Sequence, residues 1–261
     1  MIAVAFVVYF TFDSLPAVLM GSGINEIVLS FFPLFGVMVM ASAAFFLVWQ
    51  IWHWRDYLKA KYGPKSYQRI LLVGFAGILW VLTITVNQYI PYYSFAQRFW
   101  ESSPLQILAL PLETFFGIAS SIVFYVKDTL AVILSIVGLL TCARSVQTFG
   151  FDYMVVVYLY FPEESQIQAR EIYSVLRHPV YAGALLIALG GAFLTFTLFS
   201  FATYLILLTG FYLHVHFVEE KELVQRFGDS YREYRMRVPA FFVNPKNIGA
   251  FFLFLLGKSD N

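Results

Sequence analysis

The chain has 261 residues, of which 60% are hydrophobic, 20% are aromatic and only 13% are charged. A soluble globular protein usually carries about 25% charged residues, so a soluble fold of this composition would lack the polar surface that it needs. The formal net charge of +1 does not indicate any class of partner, and no basic tail or stripe suggests a nucleic acid. The single cysteine, Cys142, excludes an internal disulfide. The composition predicts an integral, multi-pass membrane protein, because lipid-facing helices carry apolar side chains on their outer surface.

Long apolar segments recur along the chain. A helix needs about 20 consecutive apolar residues to cross the bilayer core. Segments of this kind occur at 1–20, 27–52, 70–93, 105–126, 129–146, 180–199 and 201–218. The last two follow each other with almost no linker, which predicts a helical hairpin. The pattern as a whole predicts an all-α fold, a polytopic membrane helical bundle of about five to seven transmembrane helices.

Segment 105–126 differs from the others. It contains Glu113 and Pro111 and directly follows Pro104. Because a carboxylate and prolines are costly in a lipid-exposed helix, we interpret this segment as re-entrant or interfacial and not as a full span. Near the C-terminus, residues 250–256 are apolar but too few to span, and we expect them to lie at the interface.

Lysines and arginines indicate the orientation in the membrane. They concentrate in 53–69 and 221–246, which the positive-inside rule places in the cytoplasm. Polar and aromatic residues become frequent after residue 147, so chemistry is expected in the second half of the chain. The predicted organisation is an N-terminal transmembrane anchor (1–147), a core containing the hairpin 180–218 (148–242) and an interfacial C-terminal tail (243–261).

Three polar motifs flank the predicted hairpin. They are Tyr-Ser-Val-Leu-Arg-His-Pro-Val-Tyr-Ala-Gly at 173–183, His-Val-His-Phe-Val-Glu-Glu-Lys-Glu-Leu at 214–223, and Phe-Gly-Asp-Ser-Tyr-Arg-Glu-Tyr-Arg-Met-Arg-Val-Pro at 227–239. A hairpin returns the chain to the membrane face from which it started. Arg177, His178 and Tyr181 should therefore meet Glu219 and Glu220 at that face, where positive, negative and aromatic groups would form a binding pocket.

The order of these motifs resembles a known family. Arg-His-Pro-x-Tyr-x-Gly, a hairpin, Glu-Glu-x-x-Leu, Phe-Gly-x-x-Tyr-x-x-Tyr and Arg-Val-Pro are similar to the isoprenylcysteine carboxyl methyltransferases. The relatives of that family include phospholipid N-methyltransferases and methanethiol S-methyltransferases. The resemblance covers roughly residues 140–242, and it rests on the combined, ordered motifs, because Arg-His-Pro alone is common.

The resemblance implies a membrane methyltransferase that uses S-adenosylmethionine, bound at the cytoplasmic ends of the last helices. Its implied cofactor-binding residues are Ser165, Gln166, Ile167, Gln168, Tyr173, His178, Pro179, Val180, Tyr181 and Glu219, with Glu219 holding the ammonium of the cofactor. The candidate catalytic residues are Glu220, His216 and Arg237. An amine or thiol acceptor must lose a proton, which Glu220 or a histidine would accept, and the acceptor is expected to enter from the lipid near Arg237 and His216.

The motifs do not identify the methyl acceptor. Carboxyl methyltransferases have an arginine, which serves the prenylated substrate, where this chain has Val215, and a glycine where it has Ile172. Membrane lipids are expected partners, and the methyl acceptor is a prenylcysteine carboxylate, a phospholipid amine or a small thiol. Two other functions remain: a membrane sterol or steroid reductase using NADPH, and a non-catalytic scaffold that retains the hairpin.

No metal is expected. His214 and His216 are two residues apart and therefore point to different sides of a helix, whereas helical zinc pairs are four apart. Tyr231 and Tyr234 share a helix face, which favours anchoring at the membrane interface.

Overall fold

The protein is described by a computed structural model that covers residues 32–89, 110–117 and 120–258. The predicted span 1–20 lies outside these residues. The helices are α1 (Phe32–Tyr62), α2 (Tyr67–Asn87), α3 (Leu112–Phe116), α4 (Ser120–Phe149), α5 (Pro179–Thr195), α6 (Leu198–His214), α7 (Glu220–Phe227), α8 (Asp229–Arg237) and α9 (Ile248–Leu255). Within the described residues there is no β-strand, only an isolated bridge between Pro111 and Thr197. The all-α prediction is confirmed.

Several helices are long and apolar enough to cross a bilayer. In the described part of the chain they are Leu34–Tyr62, Pro64–Val86, Ser121–Phe149 and Leu198–Phe227, and α5 is a shorter apolar helix. These helices expose large apolar side chains such as Phe35, Leu72, Ile122, Tyr125 and Leu205. Such surfaces are stable against lipid tails, which confirms the prediction of a membrane helical bundle.

The region of Glu113 differs in part from the prediction. The short helix α3 ends at Gly117, which has the left-handed φ of 61° that favours glycine. Helix α4 then runs without a break from Ser120 to Phe149, through the point where two separate segments were predicted. The helix continues through the charged residues Lys127 and Asp128, and Lys127 Nζ donates to Asp128 Oδ1 at 2.9 Å and to the Leu194 carbonyl oxygen at 3.0 Å.

The turn between α5 and α6 explains the hairpin. Only Phe196 and Thr197 separate the two helices, and Phe196 takes a left-handed φ of 49°. Thr197 and Ser200 then cap α6 reciprocally, since each side-chain oxygen accepts from the other residue's backbone N–H at 3.1 Å. This capping box starts α6 directly after the turn, as the short linker predicts.

The chain divides into two compact units, each built from three segments. Unit 1 comprises Met1–Val48, Val73–Ile133 and Ala188–Gly210, and unit 2 comprises Trp49–Leu72, Leu134–Ile187 and Phe211–Asn261. Of the described lysines and arginines, only Lys127 falls outside unit 2. All three polar motifs belong to unit 2, so the residues predicted to carry chemistry share one unit. The functional division at residue 147 and the cytoplasmic orientation stay predictions.

Within unit 2, α4 and α5 approach each other through two glycines. A Cβ atom on Gly183 would lie 2.5 Å from Cys142 Sγ and 2.7 Å from the Gly138 carbonyl oxygen. A Cβ atom on Gly138 would in turn lie 2.7 Å from the Gly183 carbonyl oxygen. A side chain at either position would therefore push α4 and α5 apart. Helix α5 contains the second half of the first polar motif, so this separation would move that motif.

We expect Gly183→Ala to lower the free energy of unfolding by about 1–3 kcal/mol, because the added methyl group has no space. Gly249→Ala is the matched control, since nothing lies within 4 Å of a Cβ atom at that position of α9. There alanine should be neutral or stabilising by up to about 1 kcal/mol, from helix propensity. Thermal unfolding in detergent measures both, and equal effects at the two sites would contradict the close approach.

Candidate active site

The first polar motif lies at the start of α5 in unit 2. Pro179 occupies the first helical position, where its missing N–H is not needed. The backbone N–H groups of Arg177 and His178 donate to the carbonyl oxygens of Pro239 and Ala240, at 2.9 and 3.2 Å. These two bonds hold the segment after α8 against the start of α5, so the first and third motifs meet, a contact that the hairpin argument did not predict.

The second motif contains a π-helical turn. Residues Val215–Glu219 form this turn between α6 and α7. Val215, Glu219 and Glu220 are buried, whereas Phe217 is 62% exposed. A π-turn adds one residue to the helical register, and such turns are frequent at functional sites. Here it brings two consecutive acidic side chains into the interior of unit 2.

Glu220 is fully engaged by cations. Its Oε1 atom accepts from Arg177 Nε at 3.0 Å and from Arg177 Nη2 at 2.6 Å, and it lies 3.3 Å from His178 Nε2. Its Oε2 atom lies 3.7 Å from Arg235 Nη1. Arg177 also donates through Nη1 to the carbonyl oxygens of Arg235 and Val238. The pair therefore ties the start of α5 to α7 and to the end of α8.

Glu219 is engaged less than Glu220, although its carboxylate interacts with both His178 and the Tyr181 side chain. Its Oε1 atom lies 3.6 Å from His178 Nδ1. Its Oε2 atom is buried and has no hydrogen-bond partner among the described residues. A buried carboxylate oxygen without a partner is costly, so this geometry suits a cationic ligand. We refer to Arg177, His178, Glu219 and Glu220 as the acid–histidine cluster.

Aromatic rings enclose the cluster. The Tyr181 ring stacks on His178, with 5.9 Å between centroids, and meets the edge of His214 at 6.3 Å. Phe211 and Phe241 contact Tyr181 and His178, respectively. Buried His214, and not the exposed His216 named from the sequence, is thus the histidine that contacts Tyr181. These rings exclude water, which strengthens every charge interaction inside the cluster.

Burial by itself would lower the pKa of His178, but the carboxylates of Glu219 and Glu220 outweigh it and raise this pKa above its ordinary value of 6.5. A raised pKa means that the fold stabilises protonated His178. The resulting stability is complete below pH 6.5 and is lost as the pH rises through the raised pKa.

We therefore expect the unfolding temperature in detergent to fall as the pH rises above neutrality, and to fall less in His178→Gln. His53→Gln is the control, because His53 is exposed and lies outside the cluster. Thermal unfolding between about pH 6 and pH 9 measures the effect. An identical pH dependence in wild type and His178→Gln would contradict the pairing.

Three buried tyrosines, Tyr173, Tyr231 and Tyr234, belong to the same unit as the cluster. The Tyr173 carbonyl oxygen accepts from the Tyr234 hydroxyl at 2.6 Å, and the Tyr173 hydroxyl donates to the Ser145 carbonyl oxygen at 3.4 Å. Tyr231 is 3% exposed, and its hydroxyl has no hydrogen-bond partner in the described structure. Burial raises the pKa of Tyr173, Tyr231 and Tyr234, so all three stay neutral. The interpretation of Tyr231 and Tyr234 as interfacial anchors is wrong, because they pack in the interior with Leu223.

A second charge network orders the predicted cofactor-contacting segment. Glu222 Oε1 accepts from Arg55 Nη1 at 2.8 Å and also contacts Arg226 Nη2. Arg226 Nη1 in turn donates to Ser165 Oγ at 2.8 Å and to the Tyr158 carbonyl oxygen at 3.0 Å. The pairing of Arg55 with Glu222 could not be predicted, since residues 167 positions apart form no local motif. The spacing of Glu222 and Arg226, four residues apart on α7, is a local signal that could have predicted their contact.

Other predicted residues take separate positions. The Gln166 N–H donates to the Tyr153 hydroxyl at 2.8 Å, and Gln168 Nε2 donates to the Thr148 carbonyl oxygen at 3.2 Å. His216 is exposed and stacks on Tyr212, with 5.6 Å between centroids. Arg237 is also exposed. The structure therefore brings together His178, Tyr181, Glu219 and Glu220, but it does not add His216 or Arg237 to them, and the roles assigned to these two stay predictions.

Comparison with known proteins finds a family match that includes the cluster. Residues 126–230 match the phospholipid methyltransferase family. This phospholipid methyltransferase region contains the whole acid–histidine cluster, and the family resemblance predicted from the motifs is confirmed.

A curated relative supports the same group of enzymes. The chain is 39% identical over 69 residues to a protein-S-isoprenylcysteine O-methyltransferase of Schizosaccharomyces pombe (strain 972 / ATCC 24843). The matched stretch is 26% of this chain and 29% of the relative. The chain therefore spans less than a third of the length of this curated relative. No solved structure matches the chain significantly.

Proposed function

We propose that this protein is an integral membrane methyltransferase that uses S-adenosylmethionine and acts on a lipophilic or membrane-associated acceptor. The observation that supports this most is the buried, unpartnered Oε2 atom of Glu219. The ammonium group of the cofactor's methionine part is the kind of cation that such an oxygen would bind. The match of residues 126–230 to a methyltransferase family agrees with this proposal.

The residues present fit this cofactor. Glu219 would hold the ammonium, while His178, Tyr181 and Tyr173 would border the bound molecule, and Ser165–Gln168 would offer backbone groups. When bound, S-adenosylmethionine supplies a methyl group that is already activated on a sulfonium. The protein's own task is therefore to position the acceptor, exclude water and take up any released proton.

The two glutamates differ in their proposed roles. Glu220 faces Arg177, His178 and Arg235, so its charge is already balanced. We assign it a positioning role, in place of the proton-accepting role expected from the sequence. A carboxylate acceptor needs no base, whereas an amine or thiol must lose a proton. His214 is the buried histidine beside Tyr181 and is the better placed base for such acceptors.

A labelling experiment with three acceptors would identify the class of the methyl acceptor. Purified protein would be incubated with methyl-labelled S-adenosylmethionine and, separately, with phosphatidylethanolamine, a prenylcysteine and a small thiol. We expect label in one of the three products, and none with Glu219→Gln. Absence of label with every acceptor, together with quenching of NADPH fluorescence and no affinity for S-adenosylhomocysteine, would replace the proposal with the reductase alternative.

A further inference from the structure

A polar groove lies in unit 2, lined by none of the side chains of the acid–histidine cluster. Its volume is about 690 Å³, and its walls come from the end of α4, the segment before α5, and α9. Arg144 and Arg170 contribute guanidinium groups to it, Thr148 and Ser174 contribute hydroxyls, and Phe254 contributes an apolar wall. Both exposed charge and apolar surface are thus present in one concave site.

The two guanidinium groups of this groove are not paired with carboxylates. Within residues 32–89, 110–117 and 120–258, neither Arg144 nor Arg170 forms an ion pair, whereas Arg55, Arg177 and Arg226 all do. The Glu171 carboxylate also lines the groove, where its Oε2 atom accepts from Thr148 Oγ1 at 2.6 Å, and it offsets one of the two positive charges. The charged side chains of the groove therefore leave a net positive charge, which favours an anionic ligand.

The groove is held in shape by its own backbone. Arg144 Nε donates to the Leu255 carbonyl oxygen at 3.0 Å, and its Nη1 donates to Gln147 Oε1 at 2.9 Å, which orients the guanidinium. Glu171 has a left-handed φ of 49°, which is strained for a residue with a side chain. The Ser174 hydroxyl, which donates to the Glu171 carbonyl oxygen at 2.6 Å, supports this conformation. Retained strain of this kind is typical of binding sites.

The position of the groove along the chain predicts that it lies near a membrane surface. Arg144 is close to the end of the candidate membrane span Ser121–Phe149. Helix α9 buries Phe251 and Leu255 and exposes Ile248 and Phe252, as expected for a helix lying along the membrane surface. Arginines near a membrane surface reach phosphate groups and bind them through two parallel hydrogen bonds.

We propose that this groove binds the phosphate group of an anionic membrane phospholipid, with Arg144 and Arg170 as its ligands and Phe254 against the start of the acyl chains. The proposal does not rest on the methyltransferase activity, since lipid binding is measured without any methyl donor. It makes the groove a second ligand site that senses the surrounding lipid.

The test uses the full chain in detergent and short-chain phosphatidylglycerol, with dioctanoylglycerol and inorganic phosphate as further ligands. We expect saturable binding of phosphatidylglycerol, about fivefold weaker in Arg170→Gln, and no binding of dioctanoylglycerol. Arg170 is chosen because it is exposed, whereas Arg144 also holds the end of α9. Arg232→Gln is the matched control, since Arg232 is an exposed arginine that pairs with Asp229.

Unchanged affinity in Arg170→Gln, or an equal loss in Arg232→Gln, would overturn the proposal, because the attraction would then be diffuse. Displacement of the lipid by inorganic phosphate at similar concentrations would assign the groove to free phosphate and overturn the lipid as its source. Retained binding of phosphatidylglycerol in excess inorganic phosphate supports the lipid headgroup.

Discussion

Replacing Glu219 by glutamine is expected to weaken the binding of S-adenosylhomocysteine by roughly 100-fold, because a buried charge pair with the ligand's ammonium is lost. The substitution keeps the size of the side chain and removes only its charge. The Oε2 atom that would accept from the ammonium is buried and has no partner among the described residues. Isothermal titration calorimetry of the purified protein in detergent measures the affinity.

The control for this experiment is Glu233→Gln on α8, an exposed glutamate that lies outside the acid–histidine cluster. It should bind S-adenosylhomocysteine as the wild type does. The unfolding temperature of both variants without ligand shows whether the fold is retained. If folded Glu219→Gln bound the ligand with wild-type affinity, Glu219 would not hold the ammonium, and the proposed site would be wrong.

Removing Arg177 should produce the largest loss of stability. Arg177→Met leaves Glu220, whose side chain is 5% exposed, without its main partner. Breaking a buried ion pair from one side costs about 3–5 kcal/mol, because the remaining charge stays buried. The variant also loses the bonds from Arg177 to the carbonyl oxygens of Arg235 and Val238. Unfolding in detergent should therefore occur at a markedly lower temperature.

A double-mutant cycle separates the pair from its surroundings. The double variant Arg177→Met with Glu220→Gln should be more stable than the sum of the single effects by about 2 kcal/mol. The same cycle on Arg232 and Asp229, whose side chains are 62% and 86% exposed, should give a coupling of about 0–1 kcal/mol. Strict additivity at Arg177 and Glu220 would contradict their direct pairing.

Individual residues show which parts of the candidate site can be predicted from the motifs and which cannot. The hairpin predicted that His178 would meet the two glutamates, and it does, at 3.6 Å from Glu219 and 3.3 Å from Glu220. The motif could not show which glutamate keeps a free oxygen. That difference depends on Arg177 and Arg235, both of which approach Glu220. His216 was named from its place in the sequence, but the π-turn leaves it exposed.

Residence in the membrane, the helical class, the hairpin and the resemblance to membrane methyltransferases are predicted from the sequence itself. A membrane span is predicted from the summed hydrophobicity of one segment, and a hairpin is predicted from the short linker between two segments. Neither prediction requires knowledge of tertiary contacts. The tertiary structure alone decided that Glu220 is neutralised while Glu219 keeps a buried unpartnered oxygen, and that Arg55 joins Glu222 and Arg226. These outcomes depend on distances of a few ångströms between distant parts of the chain, because charge pairing falls off steeply with separation.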